Sequence, residues 1–168
     1  IADRKIPIQY RFYKKDYLNY MMYGGSYGHN APAGFHKSNV SNYKNTFKLS
    51  NICPQEVVFN SGQWVLLENW CKSIVEKYKN VYILTGSISG NTKTFNTTTM
   101  NVPKQMYKII LIQDDDKWYE ISFLMNNIPY YKCKSIKNFI VSINKIVNLL
   151  SKKMDFNLLE LLQNIIKN

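Results

Sequence analysis

The clearest periodic pattern in the chain lies between Asn60 and Tyr78. Apolar residues recur there at intervals of three and four, the spacing of an amphipathic helix; they are Trp64, Leu67, Cys71, Ile74, Val75 and Tyr78. On such a helix Asn60 and Glu68 are separated by about 80° around the axis, at about 100° per residue. Both polar side chains are therefore predicted to flank one cleft.

Two segments before this helix predict extended structure. Residues 6–20 are aromatic and basic without a helical period, and Pro7 fits only an edge strand or a strand start. Residues 46–50 alternate as a half-buried strand, which Pro54 is expected to end because proline has no amide donor. Gly24 and Gly25 mark a break between the two segments.

The second half of the chain predicts more strands and then helices. Residues 81–85 form an apolar run typical of a buried strand, residues 88–101 a polar loop, and residues 106–125 a hairpin that turns at Asp114–Asp116. Ser142 and Asp155 are suitable N-caps for two amphipathic helices that would cover the sheet. The three aspartates favour a solvated turn over a metal site.

Composition indicates a globular protein, and its charge is compatible with a polyanionic partner. The chain has 168 residues, 45% of them hydrophobic, and a net charge of +11 from 22 basic and 11 acidic residues. Such an excess of positive charge attracts nucleic acid through counterion release. Lysine, asparagine, tyrosine and isoleucine would also be enriched by an AT-biased coding sequence, so the charge alone leaves both explanations open.

The three cysteines, Cys53, Cys71 and Cys133, are widely spaced and form no CxxC pair. We therefore expect reduced, mostly buried thiols and no zinc site. No stretch is apolar enough to span a membrane, so no membrane partner is expected.

Candidate chemistry is concentrated between Ser26 and Glu68. His29 follows a glycine, which lets the backbone turn tightly beside a bulky phosphate, and asparagine and glutamate oxygens suit a hard cation. Taken one at a time, these residues have structural explanations: Asn60 as a helix N-cap, Glu68 as a solvated helix residue, Asn51 as a turn former. Together they predict a one-metal phosphodiesterase site.

From Tyr27 onward the chain resembles the DNA/RNA non-specific endonucleases of the ββα-metal (His-Me finger) class, and the endonuclease G branch in particular. Gly28-His29 is similar to the end of the family's Asp-Arg-Gly-His motif, and Asn60, Trp64 and Glu68 keep the family's spacing. The similarity continues through Val81-Tyr82, Val102-Pro103 and residues 139–143. It therefore covers essentially the whole chain.

The resemblance implies an α+β fold in which a central antiparallel β-sheet is flanked by helices and carries a ββα-metal motif. It implies a single endonuclease domain over residues 1–168. Within it, residues 1–25 would be a basic edge segment, 26–79 the ββα-metal core, and 80–168 the rest of the sheet and the C-terminal helices.

The resemblance also assigns roles. His29 would be the general base that deprotonates a water, and Asn60 the direct protein ligand of one Mg²⁺, with Mn²⁺ as a possible substitute. Glu68 would hold metal-bound waters, and Asn51 would orient His29 or the phosphate. DNA and RNA would be bound through the phosphate backbone and cleaved to leave a 5′-phosphate. A homodimer and a mitochondrial location are further expectations, with a secreted or organelle-lumen enzyme as the alternative.

One position departs from the family. Ser26-Tyr27 replaces Asp-Arg, so the arginine that would neutralise transition-state charge is missing from its place. Loss of such a donor costs about 10²–10³ in rate. Arg11, or else Arg4, is a candidate substitute, and Lys37 is nearer in sequence but cannot form a bidentate fork.

Three functions follow from these observations. The first is a metal-dependent endonuclease. The second is a catalytically impaired relative that binds nucleic acid, because Tyr27 replaces the arginine. The third is a structural or interaction protein whose lysines reflect biased coding.

Overall fold

The protein is described by a computed structural model, which covers residues 1–95 and 98–151 and, beyond them, residues 160, 162, 165 and 166. The helices are α1 (Lys14–Met22), α2 (Val40–Thr46), α3 (Val65–Lys77, preceded by a π-helical turn at Phe59–Trp64) and α4 (Ile143–Ser151). The strands are β1 (Gly25–His29), β2 (Ile52–Glu56), β3 (Asn80–Ile88), β4 (Asn91–Phe95), β5 (Thr98–Val102), β6 (Gln105–Asp114), β7 (Lys117–Asn126) and β8 (Ile140–Val141). Short 3-10 turns lie at Ile8–Tyr10, Ala33–His36, Leu49–Asn51 and Ile136–Phe139.

The central element is a four-stranded antiparallel sheet in the order β3-β6-β7-β8. Alternate residues of β6 face opposite sides of the sheet, so Ile110 packs with α3 while Ile109 packs with α4. Helices therefore cover both faces, and each face has its own apolar cluster.

A two-stranded antiparallel ribbon, β1 paired with β2, precedes α3 in the chain. Cys53 of this ribbon joins the cluster beneath α3. Tyr17 and Tyr20 of α1 form a third apolar cluster with Met100 and Val102 of β5. The ribbon is thus held between α1 and the central sheet.

Several predictions from the sequence are confirmed. The fold is α+β with a central antiparallel sheet flanked by helices, and β6 and β7 form the predicted hairpin around Asp114–Asp116. The amphipathic helix runs as predicted, with a π-helical first turn followed by α3. The strand predicted at residues 81–85 is present and extends through Gly86 to Ile88.

The N-terminal prediction was wrong. Residues 6–20 do not form an edge strand; they contain a 3-10 turn and most of α1. The Asp16 carboxylate accepts a hydrogen bond from the Tyr13 backbone N–H at 2.8 Å, which stabilises the start of the helix. Tyr17 and Tyr20, three residues apart, are buried by the tertiary contacts that favour a helix here.

The predictions for residues 46–54 were also wrong. Thr46 ends α2, whose N-cap Asn39 accepts a hydrogen bond from the Asn42 backbone N–H. Pro54 lies inside β2, opposite Tyr27, instead of ending a strand. Proline is tolerated there because the ribbon has two strands, so each strand has one unpaired edge.

The prediction of a polar loop at residues 88–101 was wrong for the described residues 88–95 and 98–101, since β4 and β5 pair there as a second antiparallel hairpin. Threonine has a high β-propensity, which the turn-forming asparagines obscured. Helix α4 begins directly after Ser142. Asp155 lies outside the described residues.

The described cysteines are free thiols, with Cys53 and Cys71 buried and Cys133 exposed. Among the residues that the structure covers, no helix combines the length and apolar character that a bilayer crossing requires.

Candidate active site

His29 is the last residue of β1 and pairs with Ile52 of β2. The ribbon is close-packed at this point, because a Cβ on Gly28 would lie 2.2 Å from the buried Gln55 side chain. The His29 ring meets the Phe47 ring edge-on, with 5.4 Å between their centroids. Its Nε2 atom is buried and has no hydrogen-bond partner in the described part of the chain. This nitrogen is not committed to a structural role.

Asn51 fastens the loop that follows His29. Its Oδ1 atom accepts from the Ala31 backbone N–H, and its Nδ2 atom donates to the Ala31 and Thr46 carbonyls, all within 3.0 Å. Asn51 therefore contacts the loop after His29 through backbone groups.

Asn60 lies in the π-helical turn, and Glu68 lies in the first turn of the following helix, α3. The prediction of Asn60 as the N-cap was wrong: Val58 precedes the turn, and the Glu56 carboxylate accepts from the Phe59 backbone N–H at 2.6 Å. With Glu56 as acceptor at the helix start, the Asn60 amide is available for other contacts.

The structure brings His29, Asn60 and Glu68 together in one cleft of about 290 Å³. Lys37, Asn69 and Lys72 are among its other lining residues. The ribbon supplies the histidine and the helix supplies the oxygen donors, as the spacing of Asn60 and Glu68 predicted. This cleft is the candidate active site.

The donors in the cleft fit a hard divalent cation. Asn60 offers an amide oxygen and Glu68 a carboxylate, both typical of Mg²⁺ sites that retain most of their waters. No group of three or more histidine, cysteine or acidic side chains suited to holding a metal occurs within the described ranges. The arrangement thus suits an ion with few protein ligands and not a closed structural metal site.

Burial changes the acid–base properties of the cleft. It lowers the pKa of His29 below its ordinary value of 6.5, because a charged imidazolium is poorly solvated there. It raises the pKa of Glu68 above 4.5, and the nearby Lys108 opposes that rise. A neutral imidazole at physiological pH is the form that accepts a proton.

Arg11 lies apart from this cleft. Its guanidinium donates to the Ile6 carbonyl at 2.7 Å and the Arg4 carbonyl at 3.0 Å, and it lines a separate cavity with Asp3, Tyr10 and Leu49. Arg11 would have to break these bonds to reach His29. Its predicted role as a substitute arginine has no support from this placement.

Tyr27, which occupies the position of the family's arginine, stacks on Tyr17 of α1 with 4.8 Å between ring centroids. Its hydroxyl donates a long hydrogen bond of 3.5 Å to the Lys14 carbonyl. The side chain is therefore part of the contact between the ribbon and α1.

Two lysines near the site were not predicted from the sequence. Lys72 lines the cleft one turn after Glu68, and this i,i+4 spacing was the signal that could have identified it. Lys108 of β6 is 1% exposed. A lysine between the apolar Met106 and Ile110 on one face of a strand was the sequence signal for it.

A larger cavity of about 650 Å³ lies elsewhere, lined by residues that include Tyr17, Ile52, Ile88 and Leu150. It contains none of the predicted site residues and is mostly apolar. Size alone does not identify the active site here, since the smaller cleft contains the convergent polar groups.

Comparison with known proteins identifies the family of the chain. Residues 2–160 match the family model described as DNA/RNA non-specific endonuclease. The mitochondrial nuclease EXOG of Danio rerio is 32% identical over 155 residues, which are 84% of this chain and 44% of that protein. Nuclease C1 of Cunninghamella echinulata var. echinulata is 32% identical over 156 residues, 86% of this chain and 61% of that protein. The chain spans less than two thirds of either relative.

A solved structure of EndoG in complex with EndoGI, which concerns the mechanism of EndoG inhibition, superposes with a TM-score of 0.81. The identity is 27%, and the match covers 90% of this chain and 66% of that one. The chain belongs to the DNA/RNA non-specific endonuclease family. The predictions of an endonuclease G-like nuclease, hydrolytic in class and with mitochondrial relatives, are confirmed at the level of the family.

Proposed function

We propose that this chain is a Mg²⁺-dependent endonuclease domain that hydrolyses phosphodiester bonds of DNA and RNA without sequence preference. The observation that supports this most directly is the shared cleft, which His29 of the ribbon lines together with Asn60 and Glu68 of the helix. Residues 1–168 would form one such domain, and the mitochondrial names among the relatives support a mitochondrial location. Mn²⁺ as a substitute and a homodimer stay predictions.

In this proposal His29 is the general base. Its neutral imidazole takes a proton from the attacking water, and its lowered pKa keeps it in that form at neutral pH. Asn51 holds the loop after His29 through the Ala31 backbone, and in this proposal it positions His29 in that way.

Asn60 would hold the metal directly through its amide oxygen, and Glu68 through bound waters. When bound there, Mg²⁺ supplies Lewis-acid stabilisation of the phosphoryl oxygens and the leaving 3′ oxygen. Asn60 is neutral, so as a ligand it leaves the full charge of the cation available to the substrate.

Lys37 and Lys72 are the cleft's cations and would bind the phosphates that flank the scissile bond. Both are exposed, and Lys72 also forms a long ion pair of 3.8 Å with Glu76. Contacts of this kind read the backbone and not the bases, which agrees with a non-specific enzyme.

The test is plasmid nicking by the purified protein with Mg²⁺ and with EDTA, for the wild type, His29→Ala and Asn60→Ala. We expect cleavage only by the wild type with Mg²⁺, and a loss of at least about 10²-fold in each variant. Asn148→Ala, which removes an exposed amide on α4, is the matched control and should keep wild-type activity. Equal cleavage under all conditions would refute the proposal.

A second candidate is an impaired relative that retains nucleic-acid binding, and the placement of Tyr27 is the observation that favours it. Because the ring stacks on Tyr17, no charged group takes the arginine's place at this position. Such a protein would bind DNA tightly at low salt without metal-stimulated turnover.

Tyr27→Arg distinguishes these two functions. If the missing charge limits the reaction, the rate should rise by about 10-fold or more, toward the ~10²–10³ that such a donor supplies. Tyr27→Phe keeps the stacked ring and should leave the rate unchanged. An unchanged rate in Tyr27→Arg would show that the charge missing at this position does not limit the reaction.

A further inference from the structure

Lys108 is the only charged side chain that is buried among the described residues. It lies on the face of β6 that packs toward α3, with the core residues Met106 and Ile110 two positions away on either side. Burying a charged group is costly unless it is held by suitable partners. A lysine at this position therefore needs a reason that packing alone does not supply.

The contacts of Lys108 join three parts of the fold. Its Nζ atom donates to Thr85 Oγ1 of β3 at 2.8 Å and, at 3.5 Å, to the carbonyl of Asn30, the residue directly after His29. The same atom lies 4.7 Å from the centre of the Trp64 ring, at the end of the π-helical turn. The Glu68 carboxylate is close enough to act on it electrostatically.

Lys108, Thr85, Asn30 and Asn51 also line a cavity of about 550 Å³. Pro32 and Phe35 line both this cavity and the catalytic cleft, so the loop that they belong to separates the two. The Lys108 nitrogen thus lies on the inner side of the loop that carries the chain away from His29.

We propose that Lys108 is a positioning residue that ties the end of the His29 strand and the Asn60–Glu68 helix to the central sheet. The hydrogen bonds to Thr85 and Asn30 need two N–H donors, which a lysine offers in either protonation state. The catalytic meaning of this inference rests on the proposed function. In that function, the distance between His29 and the pair Asn60 and Glu68 decides whether the histidine and the metal act on the same phosphate.

The experiment compares wild type, Lys108→Met, Lys108→Arg and Ile110→Val. Methionine keeps the unbranched stem and removes the donors, and arginine restores donors at the end of a long side chain. Ile110→Val is the control for a general loss of packing on the same face of the same strand. Thr85→Val, which removes one acceptor and leaves the lysine in place, gives a second perturbation if Lys108→Met folds poorly.

The first measurement is amide hydrogen exchange, which depends on neither metal nor substrate. Lys108→Met should speed exchange at least tenfold in residues 29–36 and 59–68 relative to the β4–β5 hairpin, and Thr85→Val should do so to a lesser degree. Lys108→Arg should restore slow exchange, and Ile110→Val should not produce this local pattern. The proposal would be overturned if Lys108→Met and Thr85→Val showed the same exchange pattern as Ile110→Val.

The second measurement is the Mg²⁺ concentration at half-maximal plasmid cleavage, with kcat and KM determined separately. For Lys108→Met we expect a 10–100-fold increase, as is typical when the support of a metal site is removed, with KM for DNA changed less than threefold. An unchanged Mg²⁺ requirement would count against the proposal. A wild type without Mg²⁺-dependent cleavage would refute the proposed function instead, and the exchange measurement would still decide the role of Lys108.

Discussion

At the scale of single residues, burial sets the acid–base behaviour of the cleft. His29 and Glu68 are both partly removed from water, which disfavours their charged forms and so moves their pKa values toward each other. A general base must be neutral and a carboxylate that holds metal-bound waters must be ionised. The lowered pKa of His29 favours its neutral form, and the raised pKa of Glu68 means that this carboxylate ionises at a higher pH than an ordinary glutamate.

The pH dependence of kcat/KM tests this assignment. The active form of His29 is the neutral one, and its pKa is lowered, so the acidic limb of the profile at saturating Mg²⁺ should have its midpoint below 6.5. Activity should be constant through neutral pH, because the imidazole is already deprotonated there. A midpoint above 6.5 would contradict His29 as a base with a burial-lowered pKa.

At the scale of elements, the proposed catalytic residue His29 depends on the close packing of the β1–β2 ribbon. Gly28 directly precedes His29, and its missing Cβ makes room for the buried Gln55 side chain of the paired strand. The ribbon and α3 are joined through the cluster that contains Cys53, Trp64 and Leu67. The geometry of the cleft is therefore set by contacts between elements.

Gly28→Ala should disturb that packing. The added methyl group would meet the Gln55 side chain at 2.2 Å, so we expect a loss of about 1–3 kcal/mol in the free energy of unfolding, measured by urea denaturation. Nicking activity should fall as well, because His29 is the next residue.

Gly62→Ala is the matched control. An added Cβ at Gly62 meets nothing within 4 Å, and the residue lies in the helical turn before α3. Alanine should stabilise the protein by about 0.4–1 kcal/mol there, since glycine costs conformational entropy. Equal destabilisation by both substitutions would show that Gly28 has no special packing role.

At the scale of the whole molecule, the net charge of +11 favours a polyanion, and the cleft carries Lys37 and Lys72 at its surface. Helices α3 and α4 cover opposite faces of the sheet, so lysines on the two helices are separated by the core. The cleft face is therefore expected to bind the phosphates.

Salt dependence of DNA binding tests which lysines make contact. The plot of log K against log salt has a negative slope. Lys37→Gln and Lys72→Gln should each make it less steep by about 1, because each removes one phosphate contact. Lys145→Gln on α4 removes the same charge from the other side of the sheet and should leave the slope unchanged. If all three variants had the same slope, the cleft lysines would contribute no more than Lys145, and DNA would bind on a surface other than the cleft face.

Predictions from the sequence succeeded where the pattern was local and failed where distant contacts decided the structure. The three-and-four period identified the helix α3, and the acidic turn at Asp114–Asp116 between two strand-like runs identified the hairpin. Helix α1 was missed because tertiary contacts bury its two tyrosines, three residues apart, in a segment without a clear period.

The sequence by itself determined the family, the amphipathic helix, and the polar residues His29, Asn60 and Glu68, because motif spacing and periodicity are properties of the chain. Only the tertiary structure decided that Glu56 provides the acceptor at the helix start, that Arg11 lies away from the cleft, and that Lys108 lies beneath it. Some of these contacts join residues that are distant in sequence, and others depend on which of several nearby partners a side chain binds. A linear pattern does not encode such choices; the packing of the ribbon, the helix and the sheet makes them.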